Sequence, residues 1–149
     1  GPGKVLLRGT GAATSALAPD GRWIAYWSTV SGQAEVFVER VGGGDRTQVS
    51  TAGGGSPRWA RDGQELYFVS GARLMAARFT AGERPDVGVP VEVATVPDMR
   101  GYDVLPGQRQ FVALQRPPGA GYVRRLRLAL NWAPEAERLP GRGAGKLER

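Results

Sequence analysis

Three stretches of almost unbroken apolar residues, Trp23 to Trp27, Leu66 to Val69 and Phe111 to Leu114, interrupt a chain otherwise broken up by glycine, proline and charge. Short runs that do not alternate with polar residues predict strands covered on both faces. A turn signal precedes each run. Asp20-Gly21 and Asp62-Gly63 suit tight hairpins, because glycine accepts a positive φ and aspartate can hydrogen-bond to nearby backbone. The third turn, Pro106-Gly107, lacks the aspartate.

The three segments read as one repeated unit. Ala18-Pro19-Asp20-Gly21-Arg22-Trp23-Ile24-Ala25-Tyr26-Trp27-Ser28 matches Ala60-Arg61-Asp62-Gly63-Gln64-Glu65-Leu66-Tyr67-Phe68-Val69-Ser70, and Leu105 to Leu114 is a degenerate third copy. Gly21 and Gly63 lie 42 positions apart, and Gly63 and Gly107 lie 44 apart. That period suits a propeller blade of four strands; helical repeats would show a 3.6-residue pattern, which is absent. In the first unit, Ala13 to Leu17 is expected to be an inner strand, Glu35 to Glu39 an alternating third strand and Arg46 to Ser50 an outer strand. Ser56 to Ala60, Leu66 to Ser70, Arg73 to Phe79 and Val91 to Val96 fill the second unit. Tyr102 to Leu105, Phe111 to Gln115 and Val123 to Leu130 begin a third whose outer strand is missing.

The expected fold is therefore all-β, a partial β-propeller of about two and a half four-stranded antiparallel blades. Residues 1–11 would supply an outer strand (Val5-Leu6-Leu7) of a preceding blade, and residues 12–133 the blades, at about 12–51, 55–96 and 101–133. Residues 134–149 form a glycine-, proline- and charge-rich tail. Such a fragment leaves apolar faces at both ends, which missing parent blades or self-association would have to cover.

Composition narrows the chemistry. The 149 residues, 41% hydrophobic, can fill a core, and 23 glycines and 11 prolines fit many short strands joined by turns. With no cysteine there is no disulfide scaffold, thiolate metal site or cysteine nucleophile, and with no histidine the usual general base and metal ligand are gone. No cofactor or metal is expected, and the reading is non-enzymatic. The net charge of +6 is nearly all arginine, scattered rather than blocked, so nucleic acid is a disfavoured partner. No apolar run approaches the roughly 18 residues of a membrane span.

Together the units resemble the PD-type, TolB-like (WD-repeat-like) β-propeller repeat, with a signature of roughly Ser-Pro-Asp-Gly-Arg-aromatic-aliphatic-Ala-Tyr. Pro19 to Tyr26 match it, with Ala18 in the serine position. The closer resemblance is to the C-terminal propeller of bacterial serine/threonine kinases and related periplasmic proteins. In those, the signature is followed by a turn and strand seen here as Ser31-Gly32 and Glu35-Val36-Phe37-Val38. Gln48-Val49-Ser50-Thr51 with Gly53-Gly54, then Pro57-Arg58-Trp59, and finally Leu130-Asn131-Trp132 continue the match across residues 12–133. The second copy departs with Ala60-Arg61 before Asp62, and the third with Gly107 after Pro106. The resemblance implies a propeller, a binding role and a periplasmic or extracytoplasmic sensing or scaffolding module of a larger bacterial protein.

Each motif has a structural reading beside its chemical one. Asp20 and Asp62 could be metal ligands or paired acids, but with Gly21, Gly63 and Gly107 they are accounted for as repeat-signature turns. Trp23, Tyr26, Trp27, Tyr67 and Phe68 could stack bases or sugars, but their place inside apolar strands makes them packing between blades. Gly141 to Lys146 resembles a phosphate loop but has Leu147 where a hydroxyl should bind metal, and Gly9-Thr10-Gly11 is an incomplete dinucleotide fingerprint. Arg124 to Leu128 alternates as any half-exposed strand does. Candidate binding residues are Arg58, Arg73, Arg100 and Tyr102, placed on loops that enter inner strands or join second and third strands. They would serve a protein, peptide or glycan partner. The alternatives are the non-catalytic part of a propeller-containing hydrolase, or a weak electrostatic nucleic-acid binder.

Overall fold

A computed structural model describes residues 14–105 and 110–116, and the backbone of residues 125–129. One antiparallel sheet runs in chain order through β1 (Ser15–Leu17), β2 (Trp23–Ser28), β3 (Glu35–Arg40) and β4 (Thr47–Gln48). A second contains β5 (Gly55–Trp59), β6 (Glu65–Ser70) and β7 (Arg73–Thr80), and β7 then pairs with both β8 (Asp86–Val87) and β9 (Val91–Thr95). β10 (Met99–Leu105), β11 (Gln110–Gln115) and β12 (Arg125–Ala129) make the third. No helix occurs among the described residues. The chain is an all-β partial propeller, with three meandering sheets packed side by side.

The two Asp-Gly turns are built alike, bond for bond. The Gly21 N–H donates to the Ala18 carbonyl at 2.9 Å and the Gly63 N–H to that of Ala60 at 3.0 Å, with φ of 70° and 71° at the two glycines. Each aspartate Oδ1 accepts the backbone N–H two residues on, from Arg22 and from Gln64, both at 2.9 Å. That bond, more than the Arg22 guanidinium, lowers the Asp20 carboxyl below its ordinary value. The opposite ends of the hairpins differ. β2 and β3 pair Ser28 with Glu35 across a long loop, whereas β6 and β7 pair Ser70 with Arg73 across Gly71-Ala72. Gly71, at φ 61°, occupies the first central position of that two-residue turn, the glycine position of a type II′ hairpin.

The core is made by interleaving. Trp23 and Ala25 on β2, with Val36 and Val38 on β3, pack against Leu66 and Phe68 on β6 and Ala77 and Phe79 on β7. Tyr67 on β6, with Leu74 and Ala76 on β7, packs the other way, against Phe111 and Ala113 of β11. Alternate residues of β6 thus serve two different interfaces, which is why Leu66-Tyr67-Phe68-Val69 carries no polar residue. Phe79 is a hub of the first interface: its ring meets Trp23 edge-on at 5.4 Å and Trp59 at 4.8 Å.

Strand ends fix the repeat more accurately than turn residues do. Ser28, Ser70 and Gln115 are all buried and each closes its middle strand, giving spacings of 42 and then 45. The expected 44, counted on Gly107, is one residue short, and the third strand is offset accordingly. Gly107 itself, the Val5-Leu6-Leu7 strand and the tail lie outside the described residues.

Two further expectations are corrected. β3 does not alternate: Glu35 to Val38 are all buried, and the Glu35 side chain, 1% exposed, is bound on all sides. Its Oε2 accepts from Ser50 Oγ, and its Oε1 from Gln33 Nε2 and, at 3.0 Å, from the Gly53 N–H. Ser50 Oγ in turn accepts the Val36 N–H at 2.8 Å. The loop joining the first two blades is thereby held against β3, so tightly that a Cβ on Gly54 would lie 2.9 Å from Ser50 Cβ and 3.0 Å from Val36 Cγ2. The other correction is β8, absent from the sequence reading. β8 and β9 are one outer strand broken at Gly88-Val89-Pro90, where proline has no N–H to donate to the ladder.

Interleaving predicts a steep contrast between faces. Phe68→Ala should cost about 3–5 kcal/mol, because the cavity would open between two blades. Leu114→Ser, at a position 44% exposed on the side of β11 turned away from the second sheet, should stay within about 0.5 kcal/mol. Urea denaturation followed by tryptophan fluorescence checks both.

Candidate functional site

Inner strands β1, β5 and β10 are tied to one another across the blade interfaces. Trp59 Nε1 donates to the Ala16 carbonyl at 3.0 Å, and Tyr102 Oη to that of Ser56 at 2.7 Å. The second bond depends on a distortion in β5. Between Gly55 and Arg58 the β5–β6 register slips, and Ser56 sits at φ 51° immediately before Pro57. A non-glycine residue with positive φ is costly, and a following proline disfavours compact conformations, so neighbouring contacts must hold this bulge in place.

Arg58 emerges directly after the bulge. It is exposed, its Nη1 donates to the Pro57 carbonyl at 3.0 Å, and it pairs across the sheet with Tyr67, on the side turned to the third blade. Tyr102 lies on that same side of the interface. Burial pushes its phenol far above the ordinary tyrosine range, and the nearby positive charge of Arg58 only partly opposes the shift. The structure therefore brings Arg58 and Tyr102 together.

The other two candidates stand apart from that pair. Arg73 is the first residue of β7, on the face it shares with Met75, Ala77 and Phe79, which is turned to the first blade. Arg100 is the extra residue of a bulge in β10, between Met99 and Gly101, and is exposed. The four were expected on loops; all lie within strands, because β5 and β10 begin earlier than the apolar pattern implied and the β6–β7 turn is only two residues long.

Trp23, Tyr26, Tyr67 and Phe68 are buried and offer no stacking platform. Asp20 and Asp62 are turn residues, as their bonding shows. Glu39 accepts from Tyr26 Oη at 2.9 Å. The sequence reading did not single out the two buried carboxylates, Glu35 and Glu65. Glu65 had a visible signal: it stands 42 residues after Trp23, an acid at an aromatic position.

No protein family matches the sequence, and no curated protein does. Among solved structures, the chain is similar to the β-propeller domain of the Trilobed protease from Pyrococcus furiosus (TM-score 0.49, 19% identity, covering 79% of this chain and 40% of that one). It is also similar to a protein from Lactobacillus plantarum (TM-score 0.48, 19% identity, 83% and 42%). The chain spans about two fifths of the length of each. The propeller assignment itself rests on the strand pairing and interleaved packing described above.

The buried phenol of Tyr102 makes stability sensitive to alkali. Its folded-state pKa is raised, so its contribution is full below about pH 10, where an unfolded tyrosine begins to ionise, and is lost as pH rises further. Tyr102→Phe should cost about 1 kcal/mol at neutral pH by removing the bond to Ser56. Above about pH 10 it should lose less stability per pH unit than the unmodified chain. Urea midpoints measured across alkaline pH check this.

Proposed function

We propose that this chain is a non-catalytic β-propeller module that holds an acidic protein or peptide segment against its inner strands, as the C-terminal sensing or scaffolding part of a larger bacterial protein of the PD-type, TolB-like repeat class. The pairing of an exposed guanidinium, Arg58, with the bonded phenol of Tyr102 at the seam of two blades carries the reading. Arginine and tyrosine side by side supply charge, planar hydrogen-bond donors and apolar area at small entropic cost. Arg100, exposed farther along β10, extends the positive surface.

The non-catalytic reading is supported by how the acids are used. Glu35, Glu39, Glu65, Asp20 and Asp62 each accept hydrogen bonds from groups of the fold itself. The sequence also has neither histidine nor cysteine.

A fluorescein-labelled oligoglutamate peptide is a direct probe. Arg58→Glu combined with Arg100→Glu should weaken its binding by about tenfold or more, with an unchanged far-ultraviolet spectrum. Equal binding by the folded double variant would move the site elsewhere. Tighter binding of a DNA oligonucleotide than of the peptide, with a steep loss on adding salt, would favour the nucleic-acid reading instead.

A further inference from the structure

At the Asp-Gly end of the molecule, the two blade interfaces are not alike. In the first, Trp23 fills the space beside Phe79, 2% exposed. In the second, the equivalent residue is Glu65, whose carbonyl accepts the Ala60 N–H at 2.9 Å just as that of Trp23 accepts the Ala18 N–H at 2.8 Å. Where one interface has an indole, the other has a carboxylate and a cavity of about 570 Å³ reaching from the Asp62 turn to Val104 and Leu105 of β10. Burying a carboxylate in place of an aromatic ring weakens an interface. The fold accepts that cost at one of two otherwise equivalent positions.

The lining indicates what would occupy the space. Glu65 is 7% exposed, and its Oε2 accepts from Tyr67 Oη at 2.9 Å, which orients the carboxylate; a carboxylate can accept several hydrogen bonds at once. Arg78 pairs with Glu65 across β6 and β7, and Arg61, Asp62 and Gln64 stand on the turn above. Two guanidiniums balance two carboxylates, so the cavity selects neither a cation nor an anion by net charge. It offers instead a dense set of planar, two-pronged donors and acceptors beside the apolar wall of Phe79 and Val104. Adjacent hydroxyls on a ring with apolar C–H faces satisfy both requirements. The volume falls within the roughly 300–1,000 Å³ of small-molecule sites.

We infer that this inter-blade cavity is a binding site for a neutral saccharide unit, with Glu65 as its central acceptor and Arg61, Gln64 and Arg78 as hydroxyl-directed donors. The site is separate from the Arg58–Tyr102 seam, and the two proposals fail independently.

Amide chemical shifts of the ¹⁵N-labelled 149-residue chain should be followed during titration with methyl glucoside, methyl galactoside, methyl mannoside and N-acetylglucosamine, with methylammonium and acetate as ionic controls. At least one sugar should give saturable shifts confined to Arg61–Glu65, Arg78–Thr80 and Val104-Leu105, with neither ion reproducing them. Glu65→Trp, which installs the residue of the equivalent position in the first blade, should abolish them in a folded protein. Should that variant fail to fold, Arg61→Ala and Gln64→Ala, both at exposed positions, should each weaken the same sugar by about threefold to tenfold. The inference is overturned if none of the four sugars gives a saturable shift there, if the ions alone do, or if the sugar shifts survive in the folded variants.

Discussion

A middle strand of this protein has no solvent face, and everything else in the structure adjusts to that. Tyr67 and Phe68 are adjacent in sequence yet belong to different interfaces, with Tyr67 packed toward Phe111 and Phe68 toward the Val36 and Val38 side. Because side chains in a strand alternate, a slip of one residue would exchange the two faces and lose both interfaces at once. The turns at the Asp-Gly ends therefore carry much of the specification. Their repeated bonding sets where β2 and β6 begin, and hence which residue faces which blade.

Polar groups in this core act as connectors. Glu35 is deep inside the first sheet, but its bonds reach Gln33, Ser50 and Gly53, so it clamps the link between blades at the point where the chain leaves one sheet for the next. Ser70 plays a lesser part of the same kind, donating to the Ala52 carbonyl at 3.0 Å. Trp59 and Tyr102 do so for the inner strands, each reaching back one blade to a backbone carbonyl. A buried polar group is tolerable when its partners are all supplied, and these sites join segments that apolar packing alone would leave free to slide.

Unequal use of equivalent positions is where function has room in a repeat protein. The middle strands keep the packing constant, while positions at the strand ends and on the inner strands vary: indole against carboxylate at 23 and 65, an alanine carbonyl bonded by one aromatic side chain and a serine carbonyl by another. The bulge at Gly55-Ser56-Pro57 belongs to the same set, since it offsets β5 just where Arg58 reaches the surface. Both proposed sites lie at the interface of the second and third blades, on inner strand and turn respectively, and neither requires the middle strands to change.

What the sequence determined by itself is local: where the middle strands begin, which turns precede them, that each is covered on both sides, and that the fold is a propeller fragment without helix over the described residues. Asp-Gly turns and apolar runs encode these things within a few residues, so they could be read directly. The tertiary structure alone decided what depends on partners distant in the chain. Glu35 looked like a solvent-facing residue of an alternating strand until Ser50 and Gly53 were seen to close over it. β8 was hidden by Gly88 and Pro90, whose local preference is against a strand although β7 supplies a partner. Arg58 and Tyr102, 44 positions apart, meet only because two blades pack, whereas Arg73, much nearer Arg58 in sequence, is turned to the opposite side. A strand's alternation is written in the sequence; which neighbour each face meets is settled only when the blades come together.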